Sequence, residues 1–278
     1  MDVAYYLAED IMDSDITSEA LLSDEKAKGQ IIAKEDCVIA GLLEAQEIFS
    51  YLGLDVKSEV SDGDRAIMGD IVLTIKGNAK DILAGERLAL NFLGRMSGIA
   101  TETGKLVEKC RKINSNVQIA ATRKTTPGFR IFEKKAVELG GGFPHRMRLD
   151  DAFLIKDNHL KLLSGIEEAV KRAKTSEYAR SGEKVEIEVE SQEDAKRAVL
   201  AGADIVMLDN MSPKEAEDAF LMIKKANPDV IVEISGGITP ENIEKYAVYA
   251  DIISLGYLTH SIVAKDFSLE IIDVLDAN

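Results

Sequence analysis

The 278-residue sequence contains no tryptophan, two cysteines and five prolines, and aromatic side chains make up only 5% of it. A chain so poor in aromatics offers no stacking platform for bases or sugars. Cys37 and Cys110 form no CxxC pair and have no histidine cluster around them, which excludes a disulfide framework or a zinc site and fits a reducing cytoplasm. Net positive charge is also lacking, with 34 Lys or Arg against 49 Asp or Glu. The formal net charge is −15 and the pI is near 4.8, whereas a nucleic-acid partner calls for a broad basic face. No apolar run approaches the ~20 residues that a bilayer span requires. The opening stretch MDVAYYLAEDIMDSD is acidic where a targeting peptide would be basic, so a soluble, untargeted protein without a membrane partner is expected.

What is present divides into three rhythms. Between about residues 28 and 76, short β-rich segments (GQIIAKEDCVIAG, LDVKSEV, DIVLTIKG) are separated by Gly41, Gly53, Gly63 and Gly69, which predicts a small α+β unit. From 79 to 111 the spacing becomes helical, with Ile82, Leu83, Leu90 and Leu93 on one stripe. Gly94, Ser97, Gly98 and Ala100 leave room for close packing, and one long helix or two should link the domains. After 116, strand-length apolar runs alternate with amphipathic stretches: VQIAAT, AFLIKDN, KVEIEVE, DIVMLDN, VIVEISGG and DIISLGYL. Such runs imply parallel strands covered on both faces. Six strands are clear and a seventh is possible. Polar residues end nearly every strand and could converge on one rim, which favours an incomplete α/β barrel over an open doubly wound sheet. Thr126-Pro127 and Thr239-Pro240 place an N-cap before a proline at the first helical position, and Gly140-Gly141-Gly142 should end the first of these helices.

The chemistry-bearing residues gather in the third part. Arg123 and Lys124 fall at the end of a predicted strand; His145, Arg146 and Arg148 follow in GGGFPHRMRL, and Lys156 ends the strand LIK. Residues 121–161 carry nine Lys or Arg against five acids, an excess that runs against the charge of the whole chain. A planar arginine fork suits carboxylate or phosphate and a lysine supplies a compact charge, so the mixture suits a small, highly anionic ligand. Lys134, Lys135 and Lys161 read as helix-surface charges. Alternation puts Glu186, Glu188 and Glu190 on one strand face, and a solvated edge is an equal reading for Glu186 and Glu190. Glu188 with Asp209 suits a hydroxylated or Mg²⁺-bound ligand. Ser235-Gly236-Gly237 and Ser254-Leu255-Gly256 end the last two strands, where backbone N–H groups can receive a phosphate. His159 and His260 serve equally well as capping or hydrogen-bonding residues, and no nucleophile elbow is present.

These segments resemble the quinolinate phosphoribosyltransferase family. AEDIMDSDIT, GERLALNFLGRMSGIAT, TRKTTPGFR, GGGFPHRMRL, LIKDNH, EIEVE, GADIVMLDN, EISGGI and SLGYLTHS run in order along nearly the whole chain. The resemblance implies a small N-terminal α/β sandwich domain (1–100), rejoined by residues 265–278 as a C-terminal helix, and an open parallel α/β barrel of six or seven strands (101–264). It further implies phosphoribosyl transfer from phosphoribosyl pyrophosphate to quinolinate with decarboxylation, as in NAD synthesis, by at least a homodimer. Arg123, His145, Arg146 and Lys156 would hold the two carboxylates, with Arg87 of a second subunit completing the pocket. Lys124, Glu188 and Asp209 would act on the donor and its Mg²⁺. Ser235, Gly236, Gly237, Gly256 and His260 would take the 5′-phosphate.

One motif departs from the pattern. Pro144-His145-Arg146-Met147-Arg148 stands where many members have Asn-His-Arg with a glycine two residues after the Arg. Proline also occurs there in a paralogous group associated with molybdenum transport, which resembles this chain less at LIKDNH; Arg148 is expected to pair with Asp150 or Asp151. Three other functions compete with this reading: a related transferase with another acceptor, a barrel lyase forming a Schiff base on Lys156, and a non-catalytic anion sensor.

Overall fold

The computed structural model describes residues 1–179 and 183–275, and the chain divides into two units. Its strands are β1 (Lys26–Ala33), β2 (Cys37–Val38), β3 (Asp55–Lys57), β4 (Arg65–Ala66), β5 (Ile71–Asn78), β6 (Gln118–Ala120), β7 (Phe153–Ile155), β8 (Val185–Val189), β9 (Ile205–Asp209), β10 (Ile231–Ser235), β11 (Ile252–Ser254) and β12 (Phe267–Leu275).

The first unit comprises Met1–Gly104, Phe132–Gly141 and the chain from Ile262 onward. Its main sheet is antiparallel in the order β12-β1-β5-β3, and β2 pairs with β4. Along β1, Ala27, Ile31 and Ala33 are buried on the face where Gly29 approaches Ile82, the period of two that a half-covered strand requires. The helical stretch is one helix, Ala79–Arg111. Its small residues do allow close approach: a Cβ on Gly94 would lie 2.8 Å from the Lys265 carbonyl oxygen, and one on Gly98 2.4 Å from that of Val263. The buried Ser97 hydroxyl accepts from the Ala40 N–H at 3.0 Å.

Three local expectations change. The C-terminal segment is not a helix but β12, antiparallel to β1; its β-branched Ile271, Ile272 and Val274 favour a pleated strand, and residues 276–278 lie outside those described. The helix Arg130–Leu139 carries Phe132, which meets Phe92 edge-on at 4.9 Å, and Glu133, which accepts from Arg95 at 2.6 Å. By these contacts Phe132–Gly141 groups with the first unit. Lys134 is buried and so is not a surface charge, while Lys135 is half-buried and donates to Glu44 at 2.8 Å. Nor do the two Thr-Pro pairs open helices directly, because turns intervene before Arg130 and Glu244.

The second unit, Lys105–Ile131 with Gly142–Ser261, holds a parallel sheet in the order β6-β11-β10-β9-β8-β7. These six strands are the six apolar runs of the sequence. A seventh piece is a single bridge beside β6, where the Phe143 N–H donates to the Ile119 carbonyl at 2.8 Å. Among the described residues β7 pairs only with β8, which leaves the barrel open. Ile187, Val206, Leu208, Val232, Ile234 and Ile253 are fully buried, and so are Ala195, Ala198, Ala216 and Ala219 of the helices Gln192–Leu200 and Pro213–Ala226. Burial on both faces explains the uninterrupted apolar runs. Among the described residues, no helix is long and apolar enough to cross a membrane.

Candidate active site

The parallel register brings polar strand ends together. Glu188 pairs with Met207, and Asp209 with Ser235, and paired residues of neighbouring strands face the same side. These four line one cavity of about 360 Å³ with Thr122, Arg123, Lys124, His145, Arg146, Lys156, Glu233 and Ser254. The cavity lies at the C-terminal ends of the strands, where α/β barrels place their chemistry.

Its basic side is built from three segments. Arg123 has its Nε buried without a hydrogen-bond partner, a donor left for something else. Arg146 donates to the Ala152 carbonyl at 3.3 Å; burial, then the like charge of Arg123, pulls its guanidinium below the usual arginine range. Lys156 reaches Glu188 at 2.5 Å. The backbone of Lys124 is pinned at both ends, its N–H by the Thr122 hydroxyl at 3.1 Å and its carbonyl by the buried Thr259 hydroxyl at 2.7 Å.

Arg130 holds two of these segments in register. Its guanidinium donates to the Thr125 hydroxyl at 2.9 Å and to the Met147 carbonyl at 3.0 Å. Asp151 braces the same loop by accepting from the N–H groups of Met147 and Arg148. Arg148 pairs with Asp150 at 3.0 Å and is 72% exposed, as expected, so it contributes nothing to the cavity.

On the acidic side, Asp209 is shifted upward, first by burial and then by the charge of Glu188. Two carboxylates in mutual repulsion are a fitting pair for a divalent cation. Glu186 is not a solvated edge residue. It is buried 3.9 Å from His145 Nε2, and its carboxyl is pushed up to about 9 by burial, then by the charge of Glu233. Glu190 is exposed at the rim.

Other candidates lie outside the lining. A Cβ on Gly256 would meet His260 Nε2 at 2.8 Å and Lys124 Cδ at 3.0 Å, so these three are neighbours. Gly236 and Gly237 both have left-handed backbones, with Gly236 packed on Asn210. Arg87 is exposed on the helix Ala79–Arg111 of the first unit. His159 is a capping residue, its Nδ1 accepting from the Lys156 N–H at 2.9 Å.

Comparison with known proteins identifies the family. Residues 15–97 match the model of the quinolinate phosphoribosyl transferase N-terminal domain, and residues 99–270 that of the C-terminal domain. The chain belongs to the quinolinate phosphoribosyltransferase family. It is 45% identical over 266 residues to a probable carboxylating nicotinate-nucleotide pyrophosphorylase of Methanothermobacter thermautotrophicus, covering 94% of this chain and 95% of that one. The human carboxylating nicotinate-nucleotide pyrophosphorylase is 40% identical over 240 residues, covering 86% and 80%. The solved structure of the Francisella tularensis nicotinate-nucleotide pyrophosphorylase superposes with a TM-score of 0.90 at 38% identity, covering 97% of this chain and 94% of that one.

Within this member of the family, sequence reasoning missed Glu233 and Thr259. Glu233 carried a readable signal: it is the single acid inside the otherwise apolar run VIVEIS, where a charge needs a partner. Thr259 carried none, because a short hydroxyl side chain fits a strand end or a helix equally well.

Proposed function

We propose that the protein transfers the phosphoribosyl group of phosphoribosyl pyrophosphate to the ring nitrogen of quinolinate, releasing pyrophosphate and CO₂ and forming nicotinate mononucleotide. The observation that carries this reading is one cavity that gathers two chemically distinct sets of groups. Arg123, Arg146 and Lys156 suit a planar dicarboxylate, and Lys124, Glu188 and Asp209 suit a phosphorylated sugar.

In the reaction, the pyridine nitrogen attacks C1 of the ribose as pyrophosphate leaves. Positive charge grows at that carbon, where Glu188 and Asp209 stabilise it, while Lys124 offsets charge on the departing group. Mg²⁺ held by Glu188, Asp209 and the donor's own oxygens would neutralise the pyrophosphate when bound. The quaternary ring nitrogen then accepts the electron pair of the C2 carboxylate bond, and CO₂ departs. Ser235, Gly236, Gly237, Gly256 and His260 take the 5′-phosphate.

The active unit in this reading is at least a homodimer, with Arg87 of the second subunit reaching the acceptor, in a reducing cytoplasm suited to two buried thiols. A mixture of Arg87→Ala and Lys156→Ala variants should then regain activity through hybrid sites; no recovery despite demonstrated subunit exchange would remove Arg87 from the site. For a Schiff-base lyase, Lys156 would need apolar or cationic surroundings, and its contact with Glu188 argues against that role. The deciding assay is quinolinate-dependent CO₂ release with phosphoribosyl pyrophosphate and Mg²⁺, run beside nicotinate. Equal turnover of nicotinate, or no CO₂, would overturn the assignment.

A further inference from the structure

His145 has a left-handed backbone, with φ of 56°, a conformation that a non-glycine residue keeps only when its surroundings hold it there. Both of its ring nitrogens are occupied by the protein. Nδ1 accepts from the N–H of Arg146 at 2.7 Å. A nitrogen that accepts a hydrogen bond has no proton, so the single ring proton sits on Nε2. Nε2 in turn lies 3.0 Å from Glu233 Oε2, to which it donates. Neither nitrogen is left to donate to an anionic ligand.

Glu233 is itself fully buried in the middle of β10, between the apolar residues Val232 and Ile234. Its second oxygen has no hydrogen-bond partner, and the same holds for one oxygen of the neighbouring Glu186. A buried carboxylate costs several kcal/mol unless it is paired, so a strand-interior acid here is kept for what it does to the groups above it.

We propose that Glu233 is a positioning residue for the acceptor pocket: it fixes His145 as the Nε2–H tautomer and, through the Nδ1 bond to the Arg146 N–H, sets where the Arg146 guanidinium is launched. In this arrangement His145 grips no carboxylate by a ring nitrogen. Its Phe143 contact, edge-on at 5.9 Å, and its Glu233 bond hold it as a rigid wall. Arg123, Arg146 and Lys156 are left to bind the acceptor. The inference deepens the acceptor assignment above, and its kinetic part rests on it.

The test begins with the imidazole spectrum. The chain has three histidines, so ¹⁵N-histidine labelling gives three ring systems, assigned with His159→Gln and His260→Gln. His145 should show Nε2–H with an unprotonated Nδ1 and a slowly exchanging Nε2 proton. In Glu233→Leu that slow proton is lost. In Glu233→Gln it returns, because the amide oxygen accepts from Nε2 and the amide N–H₂ can face Glu186. Kinetically, Glu233→Leu should raise KM for quinolinate roughly tenfold or more, the loss of one buried charge-assisted hydrogen bond. KM for phosphoribosyl pyrophosphate should move less than about twofold, and Glu233→Gln should recover most of the loss.

An Nδ1–H tautomer or a doubly protonated ring in the wild-type protein overturns the proposal. So does a folded Glu233→Leu with an unaltered His145 signal, or one in which both KM values rise together. If Glu233→Leu does not fold, the wild-type spectrum and Glu233→Gln still decide. The spectrum needs no substrate, so the tautomer stands or falls separately from the identity of the acceptor.

Discussion

Gly236 and Gly237 are neighbours with similar backbones, φ of 79° and 63°, yet an alanine at each should fail in a different way. Both substitutions incur the left-handed cost of about 1–2 kcal/mol. Only Gly236 meets a wall: its added Cβ would lie 2.4 Å from Asn210 Oδ1 and 2.7 Å from the Asn210 backbone nitrogen, whereas at Gly237 nothing lies within 4 Å. A backbone atom cannot step aside as a flexible side-chain tip can, so Gly236→Ala carries a further ~1–3 kcal/mol of overpacking. At about 2–4 °C per kcal/mol for a unit of this size, Gly236→Ala should melt on the order of 5 °C below Gly237→Ala. Function should follow the opposite logic. The open space over Gly237 is where the proposed 5′-phosphate approaches, so a methyl group there should raise KM for phosphoribosyl pyrophosphate on the order of tenfold, equivalent to one lost bond to a charged oxygen, with quinolinate KM unchanged. Calorimetry and steady-state kinetics on the two purified variants settle it. Equal melting temperatures would refute the steric argument, and an unchanged donor KM in Gly237→Ala would refute the phosphate assignment.

Arg130→Met should leave the chain folded but raise quinolinate KM by roughly tenfold, since it removes the bonds that tie the Thr125 and Met147 segments together; a change confined to the donor KM would contradict that role. The thiols of Cys37 and Cys110 are each pushed up to about 11, chiefly by burial, so neither should react with a disulfide reagent at pH 8 until denaturant is added. Rapid labelling of the native protein would show that one of these sites opens. Glu186, raised from 4.5 to about 9, folds most favourably as the neutral acid. The contribution is therefore present below pH 4.5 and is lost as pH rises toward 9. Glu186→Gln, which cannot ionise, should gain in melting temperature over wild type between pH 5.5 and 8.5; a gap that narrows with pH would show the sign to be wrong.

The six barrel strands were legible because burial on both faces writes itself as unbroken apolar runs, and the rim residues because parallel strands must end somewhere polar. Arg123, Lys124, Lys156, Glu188 and Asp209 were found by position alone and do line one cavity. What stayed hidden depends on contacts distant in sequence. The segment FSLEIIDVL has the composition of a strand, but a C-terminal helix was expected there because nothing local announces its pairing with Lys26–Ala33. Lys134 reads as a surface charge in KK, and only packing shows it buried. Glu186 was placed on the right face, but its depth depends on Glu233, which lies 47 residues further along the chain and two strands away in the sheet.

That depth bears on how a cationic pocket can be both stable and attractive to a dianion. Arg123, Arg146 and Lys156 converge within one cavity, and like charges held close in a low dielectric destabilise the fold. Nearby acids relieve this: Glu188 meets Lys156, Glu233 and Glu186 face His145, and the charge of Glu186 acts on Arg146. Were all three acids ionised, they would cancel the three cations and leave little field for an incoming dicarboxylate. Burial and then the charge of Glu233 push the Glu186 carboxyl up to about 9, so at neutral pH the two acids together carry less than their full negative charge, and the cluster that supports the arginines also preserves their excess charge. The acid for which a solvated edge was an equal reading in the sequence is thereby one whose burial lets the pocket remain positive.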